Sequence, residues 1–332
     1  MTTTTPERKV SLIEKVTPKF VSRYIAERKR AGWQDFYERI RAQTSVAHVN
    51  DCADDDARTR LIGRSSEIVG RYAGFIGVED SLAGGAGIIT ALDAFDGASD
   101  PKKRKHKNVI LANVAPREGE GKKHENGSPF CYFWHGNTLV VTTVDGLALS
   151  LVKKFGLTDS VHVLDTGKTL EILNQKGMIT DEEKRRIEET QFRSFEFSPR
   201  IASYLLRYGE ISSAEKRKIQ EIPDAPQAVW QVDKFAKYGN CKTTILPEDV
   251  FSQSVVEALK SGNGNGSKEP VDTIATKFGI LPVYRRLKDV PNGTRAVIVG
   301  SSGLSDKRLL EIVVQGGSAG KELGISSGDT IF

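Results

Sequence analysis

The spacing of apolar positions divides the chain into three stretches. From Phe20 to Ile40, the residues Phe20, Tyr24, Trp33, Phe36, Tyr37 and Ile40 recur at loosely helical spacing among Arg and Lys. This predicts one or two amphipathic helices in an N-terminal extension, residues 1–44, packed on the first domain or on a neighbouring subunit. Residues 45–225 alternate short apolar bursts with helical segments. Strands are expected at Ser45–Val49, Gly74–Val78, Asn108–Val114 and Ser160–Leu164, and a hairpin at Phe130–Trp134 and Thr138–Thr142 around His135-Gly136-Asn137. Between them, a helix capped by Asp80 or Ser81 runs through Ile88, Leu92 and Phe95, and another runs from Leu147 to Phe155 before Gly156. Thr180 with Glu183, and Ser212 with Glu215, read as capping boxes; Pro199 opens a helix over Ser198–Arg207. Strands alternating with helices predict a layered α/β domain.

After Pro223 and Pro226 the pattern changes. Alternating runs at Val229–Val232, Cys241–Leu246, Ile280–Tyr284, Arg295–Val299, Leu309–Val314 and Thr330–Phe332 are separated by turn sequences such as Asn292-Gly293. Short strands at this spacing predict a smaller all-β, barrel-like C-terminal domain over residues 226–332. The Ser261–Ser267 stretch reads as a loop inside it. The sequence ends inside a strand-like run, so a further C-terminal segment is expected.

Composition adds few constraints. Over 332 residues, 38% are hydrophobic and 27% charged, an ordinary balance for a protein in water. No run approaches the roughly 20 apolar residues of a membrane helix. Met1–Pro18 has no apolar core of a secretory signal, so a cytoplasmic protein without membrane contact is expected. Cys52, Cys131 and Cys241 are odd in number and lack CxxC spacing, which suggests neither a disulfide framework nor a zinc site. His124 and His135 flank one strand without a third ligand, so no metal is expected. The net charge of +5 gathers in Lys102–Lys107, Lys122–His124 and Lys184–Arg186. With no aromatics interleaved, these runs read as solvated loops, and nucleic acid is not the expected partner. Gly84-Gly85-Ala86-Gly87 falls inside a helix and is expected to serve close packing rather than phosphate binding.

No motif announces a reaction alone; P-loop and HExxH sequences are absent. Order and spacing are more informative. Tyr238-Gly239-Asn240 with Thr243-Thr244-Ile245, then Ser301-Ser302-Gly303, Leu310-Glu311-Ile312, Gln315–Ala319 and Leu323–Asp329 follow one another as in a known family. Upstream, Val114-Ala115-Pro116, Val144–Leu147 and Phe192–Ala202 fit the same order. Over roughly residues 75–332 the chain resembles the S-adenosylmethionine hydroxide adenosyltransferase and fluorinase family.

The resemblance implies a homotrimer that binds S-adenosylmethionine, or an adenosine-like molecule, between the α/β domain of one chain and the β domain of the next. S-adenosylmethionine enters as substrate or ligand, and no cofactor is implied. Backbone groups at Asn240 and Gln315-Gly316 would read the adenine edge, and Tyr238 would lie beside the base. Asp233 falls where the methionine amino group is held. Ser301 and Ser302 fall where its carboxylate is bound, Ser302 replacing an arginine of some members. Glu118 and Ser194 fall near the ribose and the attacking nucleophile. The hydrolase pattern is broken: Ala115 stands for the aspartate, Lys122 for the arginine and Arg193 for the histidine, while Asp35 is the candidate for the aspartate that clasps the ribose diol. Two cations without a carboxylate favour an anion over an activated water.

Three functions therefore stand. The first is a divergent adenosyl-binding protein displacing methionine at C5′; the second, a non-catalytic trimeric nucleoside-binding or scaffold protein; the third, a protein associated with nucleic acid through its basic loops. If Gly316 has a negative φ, leucine there should fill the adenine pocket without disturbing the fold.

Overall fold

The computed structural model describes residues 18–96, 106–114, 128–144, 146–233, 239–261 and 269–332. The chain opens with α1 (Pro18–Gln43), then β1 (Thr44–Asn50), α2 (Asp55–Ile68), β2 (Arg71–Gly77), α3 (Ser81–Asp96) and β3 (Lys107–Asn113). The hairpin β4 (Phe130–His135) and β5 (Thr138–Thr143) follows, then α4 (Ser150–Lys154), β6 (Ser160–Val163), α5 (Thr166–Gln175) and α6 (Asp181–Glu189). The first domain ends with α7 (Arg193–Glu196), α8 (Ser198–Tyr208) and β7 (Glu215–Lys218). The second contains β8 (Val229–Val232), β9 (Cys241–Thr243), α9 (Gln253–Lys260), β10 (Asp272–Thr276), β11 (Gly279–Tyr284), β12 (Arg295–Leu304), β13 (Lys307–Val314) and α10 (Ala319–Leu323).

The first domain is a seven-stranded mixed sheet of order β2-β1-β3-β5-β4-β6-β7, parallel from β2 to β5 and antiparallel beyond. Its apolar bursts are buried on both faces. Ala47, Val49, Ile110 and Val140 pack towards α3, while Val46, Val109, Leu111 and Val141 pack towards α8. The extension helix α1 lies on this second face, with Trp33 only 2% exposed. Thr180 and Glu183 form the expected capping box, and the Asp80 carboxylate caps α3 by accepting the Ala83 N–H at 2.7 Å. The glycines of α3 do serve close packing. A Cβ on Gly84 would meet Val114 at 2.9 Å, and one on Gly85 the Ala148 carbonyl oxygen at 2.9 Å.

The second domain is a six-stranded sheet of order β10-β11-β12-β13-β9-β8. The chain end draws its two edges together: Val229 N–H donates to the Asp329 C=O at 2.8 Å, Ile331 N–H to Gln227 C=O at 2.9 Å, and Lys277 N–H to Ile331 C=O at 3.0 Å. Thr330 therefore makes one bridge, to Ala228, rather than the strand expected at Thr330–Phe332. Two short helices accompany the strands.

Other expectations also change. Glu215 is not the third position of a helix cap but the first residue of β7, an edge strand whose charged side chains remain in water. The helix expected from Leu147 is reduced to Ser150–Lys154 because Leu147–Leu149 form turns.

Candidate functional site

The carboxyl ends of β1, β3 and β5 line up where the topology reverses. The chain leaves β1 for β2 on one side, and α3 returns it to β3 on the other, the place where open α/β sheets hold ligands. Asn50 and Asn113, the last residues of β1 and β3, are partners in register. Strand alternation puts both on the face covered by α2 and α8, with His48, Leu111 and Thr143. Phe130, paired with Thr143, adds an aromatic floor. Against α2 and β3 lies α7, bringing Arg193 and Ser194 to this face.

Several polar atoms here have no partner among the described residues. Asn50 is 1% exposed; its Oδ1 accepts the Cys52 N–H at 2.9 Å, but its Nδ2 is buried without an acceptor. Ser194 is 2% exposed, and its Oγ is equally alone. Arg193 is half-buried, its guanidinium 5.1 Å above the Phe130 ring, with no carboxylate partner among the described residues. Burial lowers its pKa. Buried donors without partners cost about 1–3 kcal/mol each, and a ligand that accepts from them recovers this. A half-buried cation beside them favours an anion. His48 is buried and bonded at 2.8 Å to the Ser65 hydroxyl, and burial pushes its imidazole down to about 4, which keeps it neutral.

A second cluster forms in the other domain. Asp233 N–H donates to the Asn240 C=O at 2.9 Å, Asn240 Nδ2 to Glu311 Oε2 at 3.5 Å, and Ser301 N–H to Glu311 Oε1 at 3.3 Å. Glu311 is buried, which raises its pKa; Asp233 adds to the rise, while Lys242 and the Ser301 and Asn240 donors oppose it. Ser302 follows half-buried in β12. Gln315 spends its N–H on the Thr294 C=O and its C=O on the Gly293 N–H. Both backbone groups of Gln315 thus take part in the turn that joins it to Gly293 and Thr294. Gly316 has φ +80°, and a Cβ there would run into the Asn292 side-chain oxygen, so leucine at this position strains the turn itself.

Between the domains lies a cleft of about 380 Å³, lined by Ile76, Val78 and Glu79 on one side and Trp230, Asp233 and Ser327 on the other. Ala83 of α3 also lines it, so it opens on the α3 side of the first sheet, opposite the face that holds Ser194. One chain thus brings Asp233, Asn240 and Ser301 together and leaves Arg193 and Ser194 elsewhere. Asp35 is exposed on α1, outside both groups. Glu118, Lys122, Tyr238, Ala115 and Asp145 lie outside the described residues, as do Lys102–Lys105, Lys122–His124 and residues 262–268.

No family model and no curated protein matches the sequence. Solved structures to which the chain is similar include the following two. One is an uncharacterized conserved protein from Thermotoga maritima, 15% identical, with a TM-score of 0.55 over 86% of this chain and 98% of that one. The other is a conserved hypothetical protein from Thermus thermophilus, 15% identical, with a TM-score of 0.49 over 86% and 97% of the two chains. The first likeness shows a shared two-domain fold. No helix among the described residues is long and apolar enough to cross a membrane.

Two site residues escaped the sequence reading. Asn50 looks like a turn residue after a strand, and only the parallel pairing with β3 reveals where it ends. The acidic residue next to Asn50, Asp51, follows the carboxyl end of the first strand, whereas Asp35 lies on α1. Glu311 sits alone in an apolar strand, which is a legible sign of a satisfied buried charge. Among the described residues no cluster of three potential metal ligands occurs, and His135 Nδ1 instead meets the Leu157 carbonyl at 3.1 Å.

Proposed function

We propose that the chain is a divergent adenosyl-binding protein of the S-adenosylmethionine hydroxide adenosyltransferase and fluorinase type, assembled as a homotrimer. The carrying observation is that Asn50 Nδ2 and Ser194 Oγ, buried and without partners among the described residues, lie on the same face of the first sheet as Arg193, which has no carboxylate partner among those residues. Support for a shared site comes from the split of candidate residues onto opposite sides of the first sheet, which one protomer cannot reunite. In this reading Arg193, Ser194 and Asn50 favour an anion held in line with the C5′–S bond of S-adenosylmethionine. The anion's electron pair forms the new bond to C5′, and the C–S pair leaves on methionine, whose sulfur becomes a neutral thioether. No proton moves, so no general base is required. Asp51 replaces Asp35 as the group for the ribose diol.

Glu311 favours a second reading. Its carboxylate takes the Ser301 N–H that the resemblance assigns to the methionine carboxylate. A nucleoside without an amino-acid tail then fits better, and the protein binds without chemistry. Calorimetric titration with S-adenosylmethionine and with adenosine separates the two, with light scattering for assembly. Tighter binding of S-adenosylmethionine, weakened in Ser194→Ala, together with three times the chain mass supports the first reading. Preference for adenosine supports the second. A monomer that binds neither at millimolar ligand overturns both.

A further inference from the structure

The extension helix α1 lies outside the stretch that carries the family resemblance, and it builds a surface of its own. Where α1 crosses the end of α5 and the last turn of α8, a groove of about 430 Å³ is lined by Arg28, Lys29, Trp33, Lys176, Arg207 and Tyr208, and by no acidic side chain. Gly177 makes the close crossing possible: at φ +70°, its missing Cβ would lie 2.6 Å from the Lys29 Cβ. The cations are held by neutral partners. Lys29 Nζ donates to the Gln175 C=O at 2.8 Å and Arg207 to the Gly32 C=O at 3.2 Å. The Arg207 guanidinium lies 4.4 Å from the Trp33 ring, and Lys176 Nζ lies 5.4 Å from the Tyr208 ring. Among the described residues, Lys29, Lys176 and Arg207 have no carboxylate partner.

Carbonyls and π faces fix where these charges stand without cancelling them. Three like charges around one groove repel, and a chain of phosphates relieves that repulsion. Tyr208 supplies what the basic runs of the sequence lack. It is 41% exposed, packs 4.6 Å from Tyr204 and 6.0 Å from Trp33, has the Arg207 guanidinium 5.5 Å from its ring, and lines the cationic groove with its remaining surface. A base that stacks on it must be unpaired, which excludes an intact duplex. We propose that this groove binds a single-stranded nucleic acid, with one base against Tyr208 and neighbouring phosphates on Lys29, Lys176 and Arg207. An acidic peptide would satisfy the cations but has no use for the exposed ring.

Fluorescence anisotropy of the full chain with a labelled single-stranded RNA of about 12 nucleotides tests this. Saturable binding is expected, with a log–log salt slope of about −2 for three neutralised phosphates. Lys29→Glu with Lys176→Glu, both at exposed positions, should weaken binding by at least about tenfold at low salt. Tyr208→Ala should weaken it about fivefold to a hundredfold while leaving the salt slope unchanged. Circular dichroism melts of each variant confirm that the fold persists. Equal binding of a duplex, displacement by polyglutamate as readily as by unlabelled RNA, or unchanged affinity in the folded charge-reversal variant would each overturn the proposal.

Discussion

A carboxylate buried as deeply as that of Glu311 is tolerated because its neighbours were arranged around it. The two donors that reach it come from β12 and from the residue before β9, and they offset part of the desolvation that raises its pKa. The sign of the consequence is fixed. With a folded-state pKa above the unfolded one, Glu311 is best tolerated below the unfolded value of 4.5, and stability falls as pH rises through the folded value. Glu311→Gln keeps an acceptor for Ser301 and removes the charge. The variant should melt above the wild type at pH 8 and show no such advantage at pH 4, as read by thermal denaturation at both. A variant less stable at pH 8 would mean that the charge itself is needed, by Lys242 or by a ligand.

At the scale of elements, α3 depends on what its glycines omit. Gly85→Ala gains roughly 1 kcal/mol of helix propensity. It also forces a methyl against the Ala148 carbonyl oxygen, a main-chain atom that cannot rotate away. The expected balance is a loss of roughly 1–2 kcal/mol by urea denaturation, and a gain would show that α4 can retreat. This packing was legible because glycines inside a helical pattern have few other uses. The core strands were legible too: β3 is an apolar run between charged and proline-containing segments, and β4–β5 surround a Gly136 turn. Other elements were hidden for physical reasons. Helix α2 is capped by Asp54, opens on Asp55-Asp56 and buries only Ala57, Leu61, Ser65 and Ile68, so its apolar stripe is thin. Strand β7, Glu-Lys-Arg-Lys, has no apolar residue, and only pairing with β6 makes it a strand. For the candidate site, the order of motifs singles out Arg193 and Ser194, which α7 carries side by side. Asn240 and Glu311 stand 71 positions apart, a contact that no local pattern records.

Across the whole molecule, one of the buried apolar clusters spans both sheets. Ala228, Trp230, Leu246 and Leu309 of the second domain belong to the same buried cluster as Ile88, Leu92 and Val140 of the first. Polar contacts lock the junction: Asp93 on α3 accepts the Ser305 N–H at 2.9 Å and pairs with Arg308 at 2.8 Å. Helix α3 therefore serves both domains, packed under the first sheet and against β12. Separate domains would melt in two steps, whereas a continuous core predicts one. Scanning calorimetry should give a single transition with equal calorimetric and van 't Hoff enthalpies per protomer, once any oligomer dependence is removed by varying concentration. Asp93→Ala should cost roughly 1 kcal/mol, because Arg308 keeps solvent access, and should move that transition without splitting it. Two resolved peaks in the wild type would show that the shared apolar cluster is too weak to couple the domains. A split that appears only in Asp93→Ala would place the coupling in the polar lock instead.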